Sequence, residues 1–261
     1  MRCRCECYES CDTQIKNPGE LKISGDVLPF EMYGRNYCSV RIRAPITKKI
    51  NINISEPLSS CTDNSFMLVV NGWRLVSPLK RKTVIIPPAI NESISSRFQT
   101  ACGGEPMVFQ TTQNLAEIIY KLQPSREINI TVEFSNLTDN CDVDISRDYF
   151  NTILSVRSSK PFCRWYFPSA ELTILMLSLQ NDDVNSLADS DGNSLTIKAR
   201  DSPFEKEKNW KTIQHNVEDL PIPLPCRTNA MEVRSENGRE ISLSFVLRQV
   251  PNEKKILRAY C

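Results

Sequence analysis

The chain has little of what catalysis and membrane insertion draw on. Its one histidine, His215, stands in the polar stretch from Asn209 to Asp219. A Ser-His-Asp or Cys-His system needs a base held by a third group beside a nucleophile, and no Gly-x-Ser-x-Gly elbow accompanies His215. Paired carboxylates could serve a glycosidase, but nothing in the spacing of the acids marks out a pair. The expectation is no enzyme, with His215 a solvated loop residue. Long apolar runs are missing as well. The most apolar stretch, Leu172 to Leu179, is less than half the roughly 20 residues a membrane helix needs. Residues 1–20 hold charges and cysteines but no apolar signal core, so an extracellular chain would be a mature form or a fragment. An anchor downstream of Cys261 is left open. A surplus of one charge is absent too: 32 Lys plus Arg stand against 31 Asp plus Glu. That balance provides no global field for nucleic acid or an anionic membrane, and leaves only local patches.

Cysteine is abundant instead, with 11 in 261 residues. The cysteines are widely spaced and lack paired CxxC knuckles, which points to an oxidising compartment. Asn-x-Ser/Thr sequons agree, at Asn53, Asn91, Asn129 and Asn136, and predict a glycoprotein. Helical periodicity is weak. Short β-branched or alternating runs recur between Pro, Asn and Ser, such as Ile50-Asn51-Ile52-Asn53-Ile54 and Ile241-Ser242-Leu243-Ser244-Phe245. This pattern, with 16 prolines to limit long helices, predicts an all-β chain built as β-sandwiches. The stretch from Asn114 to Leu122 reads as a strand within it.

The chain also repeats itself. Cys38-Ser39-Val40-Arg41-Ile42-Arg43-Ala44-Pro45 precedes the strand Ile50–Ile54, and Cys163-Arg164-Trp165-Tyr166-Phe167-Pro168 precedes Leu172-Thr173-Ile174-Leu175. Each has a cysteine upstream, Cys11 and Cys141. Further on, Cys102 with Leu115–Leu122 is matched to Cys226 with Ile241–Leu247, and the closing strand Ile128–Phe134 to Ile256–Tyr260. Two tandem domains follow, 11–135 and 141–261, after a Cys-rich stub at 1–10.

Both halves resemble the CUB domain, an extracellular β-sandwich. The family's Tyr-containing loop and C-x-W-x-I-x-x-P strand are matched by Tyr33-Gly34-Arg35-Asn36-Tyr37-Cys38-Ser39-Val40-Arg41-Ile42, with Val40 where Trp is usual. Cys163-Arg164-Trp165-Tyr166-Phe167-Pro168 keeps the Trp. Cys61-Thr62-Asp63-Asn64-Ser65-Phe66 through Asn71-Gly72 resembles the next Cys, Asp and Asp-Gly turn, and Cys102-Gly103 the family's Cys-Gly. The interval from Cys61 to Cys102 is about twice the usual one, which implies an inserted loop near 78–96.

The resemblance implies two disulfide-braced antiparallel sandwiches of jelly-roll type, with bonds Cys11–Cys38, Cys61–Cys102 and Cys141–Cys163. Cys226–Cys261 is the remaining sensible pair, both lying near the final strands. Cys3, Cys5 and Cys7 are left over. As Cys-x-Cys-x-Cys without a nearby His they make a poor metal site, so they belong to a preceding module, a stub or a bond to another chain. The resemblance also implies a Ca²⁺ site, for which Glu31 and Asp63 are the matching acids in the first half. Asn64 occupies the usual Asp spacing there, and no third acid follows Gly104. Asp148, Asp189 and Asp191 are the acids available in the second half. Hard cations take several oxygens at once, so Ca²⁺ stays an open cofactor.

Trp73 and Trp210 fall in polar stretches beside Arg74, Lys208 and Lys211, where they suit a protein contact. Lys80-Arg81-Lys82 would meet an acidic partner or a sulfated glycan. The function expected from all this is protein binding outside the cell, as part of a receptor, a channel-associated protein or a secreted complex. Its partner is another extracellular or membrane protein. A disulfide-linked matrix component and the non-catalytic exosite region of a secreted protease are the alternatives.

Overall fold

The structure is a computed structural model of all 261 residues. It describes residues 11–26, 37–62, 64–77, 82–86, 95–138, 141–145, 149–158, 160, 162–168, 172–181, 193–200, 208–213, 222–224, 228–235 and 241–249. The chain divides into two compact units, one of Met1–Arg74 and Ala89–Leu137 and the other of Leu75–Pro88 and Thr138–Cys261. Among the described residues there is no α-helix.

The first set of strands is β1 Thr13–Ile15, β2 Gly19–Ser24, β3 Cys38–Arg43, β4 Lys48–Ile54, β5 Phe66–Asn71, β6 Trp73–Ser77, β7 Lys82–Ile86, β8 Phe98–Thr100, β9 Met107–Gln110, β10 Leu115–Lys121 and β11 Glu127–Asn136. Nine of them form a five-stranded sheet in the order β1-β3-β10-β5-β8 and a four-stranded sheet in the order β2-β11-β4-β9, while β6 and β7 pair apart from both. The second set is β12 Val143–Asp144, β13 Ile153–Ser158, β14 Phe162–Pro168, β15 Leu172–Asn181, β16 Asn193–Arg200, β17 Lys208–Ile213, β18 Ile222–Leu224, β19 Thr228–Ser235 and β20 Ile241–Gln249. Its sheets run β12-β14-β19-β16-β17 and β13-β20-β15-β18. Strand for strand the two orders are the same. The all-β sandwich expected from the alternating runs is what both halves form.

The repeat corrects one sequence match. β10 corresponds by its neighbours to β19, and β11 to β20. Ile241–Leu247 is therefore the counterpart of Glu127–Asn136, not of Leu115–Leu122. Glu127–Asn136 alternates with period two while Leu115–Lys121 is buried on both faces, and the hydrogen-bond partners decide which strand repeats as which. In both halves the first strand runs parallel to the third, with Thr13 beside Val40 and Val143 beside Trp165, inside sheets whose other pairings are antiparallel.

Alternation explains the packing. In β4, Ile50, Ile52 and Ile54 are all 0 % exposed while Asn51 and Asn53 point the other way. They meet Val40, Ile42, Met67, Val69, Ile118, Ile128 and Ile130 in one core. In the second half Trp165 is 0 % exposed, and Phe167 of β14 meets Phe245 of β20 edge-to-face at 5.9 Å, joining the two sheets. Each fully buried side chain of this size stabilises by about 1.5–3 kcal/mol relative to exposure.

Disulfides hold the same strands in both halves. Cys11–Cys38 and Cys141–Cys163 join the segment before the first strand to the third strand, with Cα–Cα distances of 5.2 and 5.1 Å. Cys61–Cys102 closes the first half at 5.7 Å. All lie in the range a disulfide spans. Beside the first of them, Asp12 Oδ1 accepts hydrogen bonds from Ser39 N and Ser39 Oγ at 2.9 and 3.0 Å. Cys226 and Cys261 lie outside the described residues. Replacing Cys11 and Cys38 together by alanine is expected to lower stability by about 3–4 kcal/mol, because the loop is no longer closed in the unfolded chain. Urea denaturation of the secreted protein checks this, and an unchanged midpoint would contradict it.

The segment expected as an inserted loop contains regular structure. β6 and β7 pair with each other as a two-stranded sheet between β5 and β8. One turn in the first half requires glycine: a Cβ on Gly25 would lie 2.0 Å from the Gln123 carbonyl oxygen. The Gly25 N–H donates to Arg126 O at 2.9 Å, and Asp26 Oδ1 accepts from Ser125 N at 2.7 Å. These bonds tie the end of β2 to the turn between β10 and β11.

Candidate interaction surfaces

Each half buries a carboxylate on the side of its five-stranded sheet that faces away from the sandwich core. In β10, Ala116, Ile118 and Tyr120 belong to the core, so Glu117 points to the opposite face, yet it is only 2 % exposed. Its Oε2 accepts the backbone N–H of Arg74 at 2.7 Å, and its Oε1 faces Arg41 Nε at 3.4 Å. Burial pushes the Glu117 carboxyl up, further than the Arg74 N–H and the charges of Arg41 and Arg74 pull it down. In β19 the corresponding face carries Glu232, also 2 % exposed. Arg164 and Arg234 donate to it, and Lys198 forms an ion pair at 2.7 Å. Burial pushes this carboxyl up as well, but hydrogen bonds from Lys198 and Arg164 and their charges outweigh burial and hold it below the ordinary value.

The two carboxylates are not at the same position. Val40 and Trp165 are equivalent through their pairing with the first strand, and they sit opposite Ile118 and Met231. Glu117 thus precedes its reference residue and Glu232 follows it, a step of two residues along one face. Aromatic rings line both clusters. Arg41 and Arg43 lie 5.7 and 4.5 Å from the Trp73 ring and Arg74 lies 4.8 Å from Tyr37. Arg164 and Arg234 lie 5.9 and 5.2 Å from Phe162. Such cation–π contacts contribute about 0.5–2 kcal/mol each.

The expectation that Trp73 is a loop aromatic reaching for a partner is corrected. Trp73 opens β6, is 9 % exposed, and its Nε1–H donates to Ile42 O at 3.1 Å. Satisfied by backbone and covered by arginines, it is a packing residue, and Arg74 is bound to Glu117. Trp210 also lies in a strand, β17, between Asn209 and Lys211, where the pairing with β16 shifts register. Lys82 begins β7, while Lys80 and Arg81 lie outside the described residues, as do Glu31, Asp63, Asp148, Asp189, Asp191, His215, Asn91, Cys3, Cys5 and Cys7. Asn53, Asn129 and Asn136 are exposed, the first in β4 and the others in β11. Lone glutamates inside apolar strands, Leu115-Ala116-Glu117-Ile118-Ile119 and Ala230-Met231-Glu232-Val233, are the sequence signal by which the two clusters could have been found.

A cleft of about 490 Å³ opens at one end of the first sandwich, lined by Glu56, Leu58, Ser59, Thr62, Gln123 and Arg126 among others. The N–H groups of Gly103 and Gly104 beside it are both used, donating to Leu58 O at 2.8 and 3.0 Å. Among the described residues no group of three acids, histidines or cysteines could hold a metal. No helix of the described residues is long and apolar enough to cross a membrane.

No protein-family model and no curated protein matches the chain. Among solved structures it is similar to the CUB1-EGF-CUB2 domains of rat MASP-1, at 10% identity over 90% of this chain and 99% of that one, with a TM-score of 0.28. The CUB1-EGF-CUB2 domain of human MASP-1/3 follows at 12% identity, 88% and 99% coverage and a TM-score of 0.27. The full extracellular region of zebrafish Gpr126/Adgrg6 matches at 8% identity, over 75% of this chain and 21% of that one, with a TM-score of 0.28. Similarity this low carries no argument. The sandwich in each half rests on its own strands.

Proposed function

We propose that the chain is an extracellular protein-binding module, two CUB-like sandwiches in tandem, acting by contact with another extracellular or membrane protein rather than by catalysis. The observation that carries this is the duplication: the same strand order occurs twice, with a disulfide from the segment before the first strand to the third strand in each copy. Disulfides persist where the surroundings are oxidising, and a rigid sheet framework that displays loops is suited to recognition. The resemblance of Cys38–Ile42 and Cys163–Pro168 to the CUB strand supports the same reading. A receptor, a channel-associated protein or a secreted complex would contain such a module.

The test is a binding screen of the secreted, oxidised chain against arrayed extracellular domains, with the reduced and alkylated chain as control. Saturable binding that is lost on reduction is the expected result. Turnover of a substrate by the folded chain, with no protein bound, would contradict the reading.

A further inference from the structure

The outer face of the four-stranded sheet β2-β11-β4-β9 combines two sequons with one exposed apolar side chain. Asn53 lies between Ile52 and Ile54, both 0 % exposed, and Asn129 between Ile128 and Ile130, both 1 % exposed. Strand alternation therefore directs both asparagines outward, and both are exposed. Asn53 sits opposite Thr131 of β11 on one side and opposite Val108 of β9 on the other. Asn129, two residues before Thr131, is then its diagonal neighbour, about 7–8 Å away. Val108 is 70 % exposed on β9, the outermost of the described strands of this sheet. Every other outward position of these four strands is polar. Around it Gln110 accepts from Lys49 Nζ at 3.0 Å and donates to Asn51 Oδ1 at 2.8 Å.

An edge strand presents backbone N–H and C=O groups that can pair with another chain, and folded proteins blunt such edges. Here the residue beside Val108 is the acceptor of a sequon. Directly opposed residues have Cβ atoms about 4.5–5.5 Å apart, so the first sugar on Asn53 would lie across Val108. Glycan transfer occurs on the unfolded chain, and a strand position is compatible with it only when the side chain ends up outside the core. Asn53 and Asn129 meet that condition.

We propose that Asn53 and Asn129 carry N-linked glycans, and that the Asn53 glycan covers Val108 and the β9 edge, closing this face to self-association and leaving protein contact to other surfaces. The proposal rests on the extracellular reading. Its test uses the full chain secreted from eukaryotic cells. Ser55→Ala and Thr131→Ala each remove a sequon and keep the asparagine. Each variant is expected to lose one glycan in intact mass, measured with and without peptide-N-glycosidase. Ser55→Ala is further expected to shift from monomer towards dimer and larger species in light scattering, and Val108→Lys added to it is expected to restore the monomer. An unchanged mass in Ser55→Ala or Thr131→Ala overturns the glycan assignment, and a monomeric, glycan-free Ser55→Ala overturns the shielding role. Secretion with disulfides formed but these sites bare fails this inference alone. Free thiols throughout fail the extracellular reading beneath it.

Discussion

Glu232→Ala is expected to destabilise the second half by about 3–5 kcal/mol, because it strands cations that the carboxylate now neutralises. Arg164 and Lys198 are 11 and 19 % exposed and face a carboxylate that is 2 % exposed. Their surroundings give water little access to replace it. Removing one partner of such a cluster leaves a buried charge uncompensated, which costs more than the pair contributes. Arg234, at 64 % exposed, loses little. The pH dependence follows from the same geometry. The folded-state value of Glu232 lies below its ordinary value of 4.5. Its ionised form therefore stabilises the fold above that pH, and the contribution is lost as pH falls through the folded value. Glu117 works in the opposite sense. Its folded value is raised, so its contribution is greatest in acid and declines as pH rises through that value. Urea titrations of Glu232→Gln and Glu117→Gln across pH 3–8 should show the first variant losing most at neutral pH. The second should lose least there. Equal losses at all pH values would contradict the assignment.

Trp165→Ala is expected to cost about 3–5 kcal/mol. Trp165 is fully buried opposite Met231, and its strand is pinned on one side by β12 and on the other by β19. A cavity of that size between two hydrogen-bonded sheets cannot close without breaking register, so the transfer and cavity costs both apply. Val40, its equivalent in the first half, lies in one core with Ile50, Ile52 and Ile54. Chemical denaturation followed by circular dichroism measures the loss; a loss under about 1 kcal/mol would mean that the site collapses around the smaller side chain.

Much of this fold was legible in the residues. Asn-Ile alternation in Ile50–Ile54 places one face inside by period alone, and the strand that follows Cys38 or Cys163 is marked by its cysteine. What was not legible depends on partners rather than patterns. Glu127–Asn136 alternates and Leu115–Lys121 is buried on both faces, but their pairing with β4 and β3 is what shows which repeats as β20 and which as β19. Trp73 follows Asn71-Gly72, a turn signal that suggested a loop, but the turn leads into β6, which pairs with β7, and the ring is covered. The Glu117 and Glu232 clusters are hard to read from the chain because, Arg234 apart, their arginines and lysines come from other strands, distant in sequence. The sequons were plain from the start, yet their convergence beside Val108 required the register of β4 with β9.

The most direct measurement is a disulfide map of the oxidised, secreted chain by peptide mass analysis without reduction. Cys11–Cys38, Cys61–Cys102 and Cys141–Cys163 are the bonds the duplicated sandwich predicts. Free thiols at these positions, or a bond joining Cys11 or Cys38 to Cys141 or Cys163, would contradict two separately braced sandwiches.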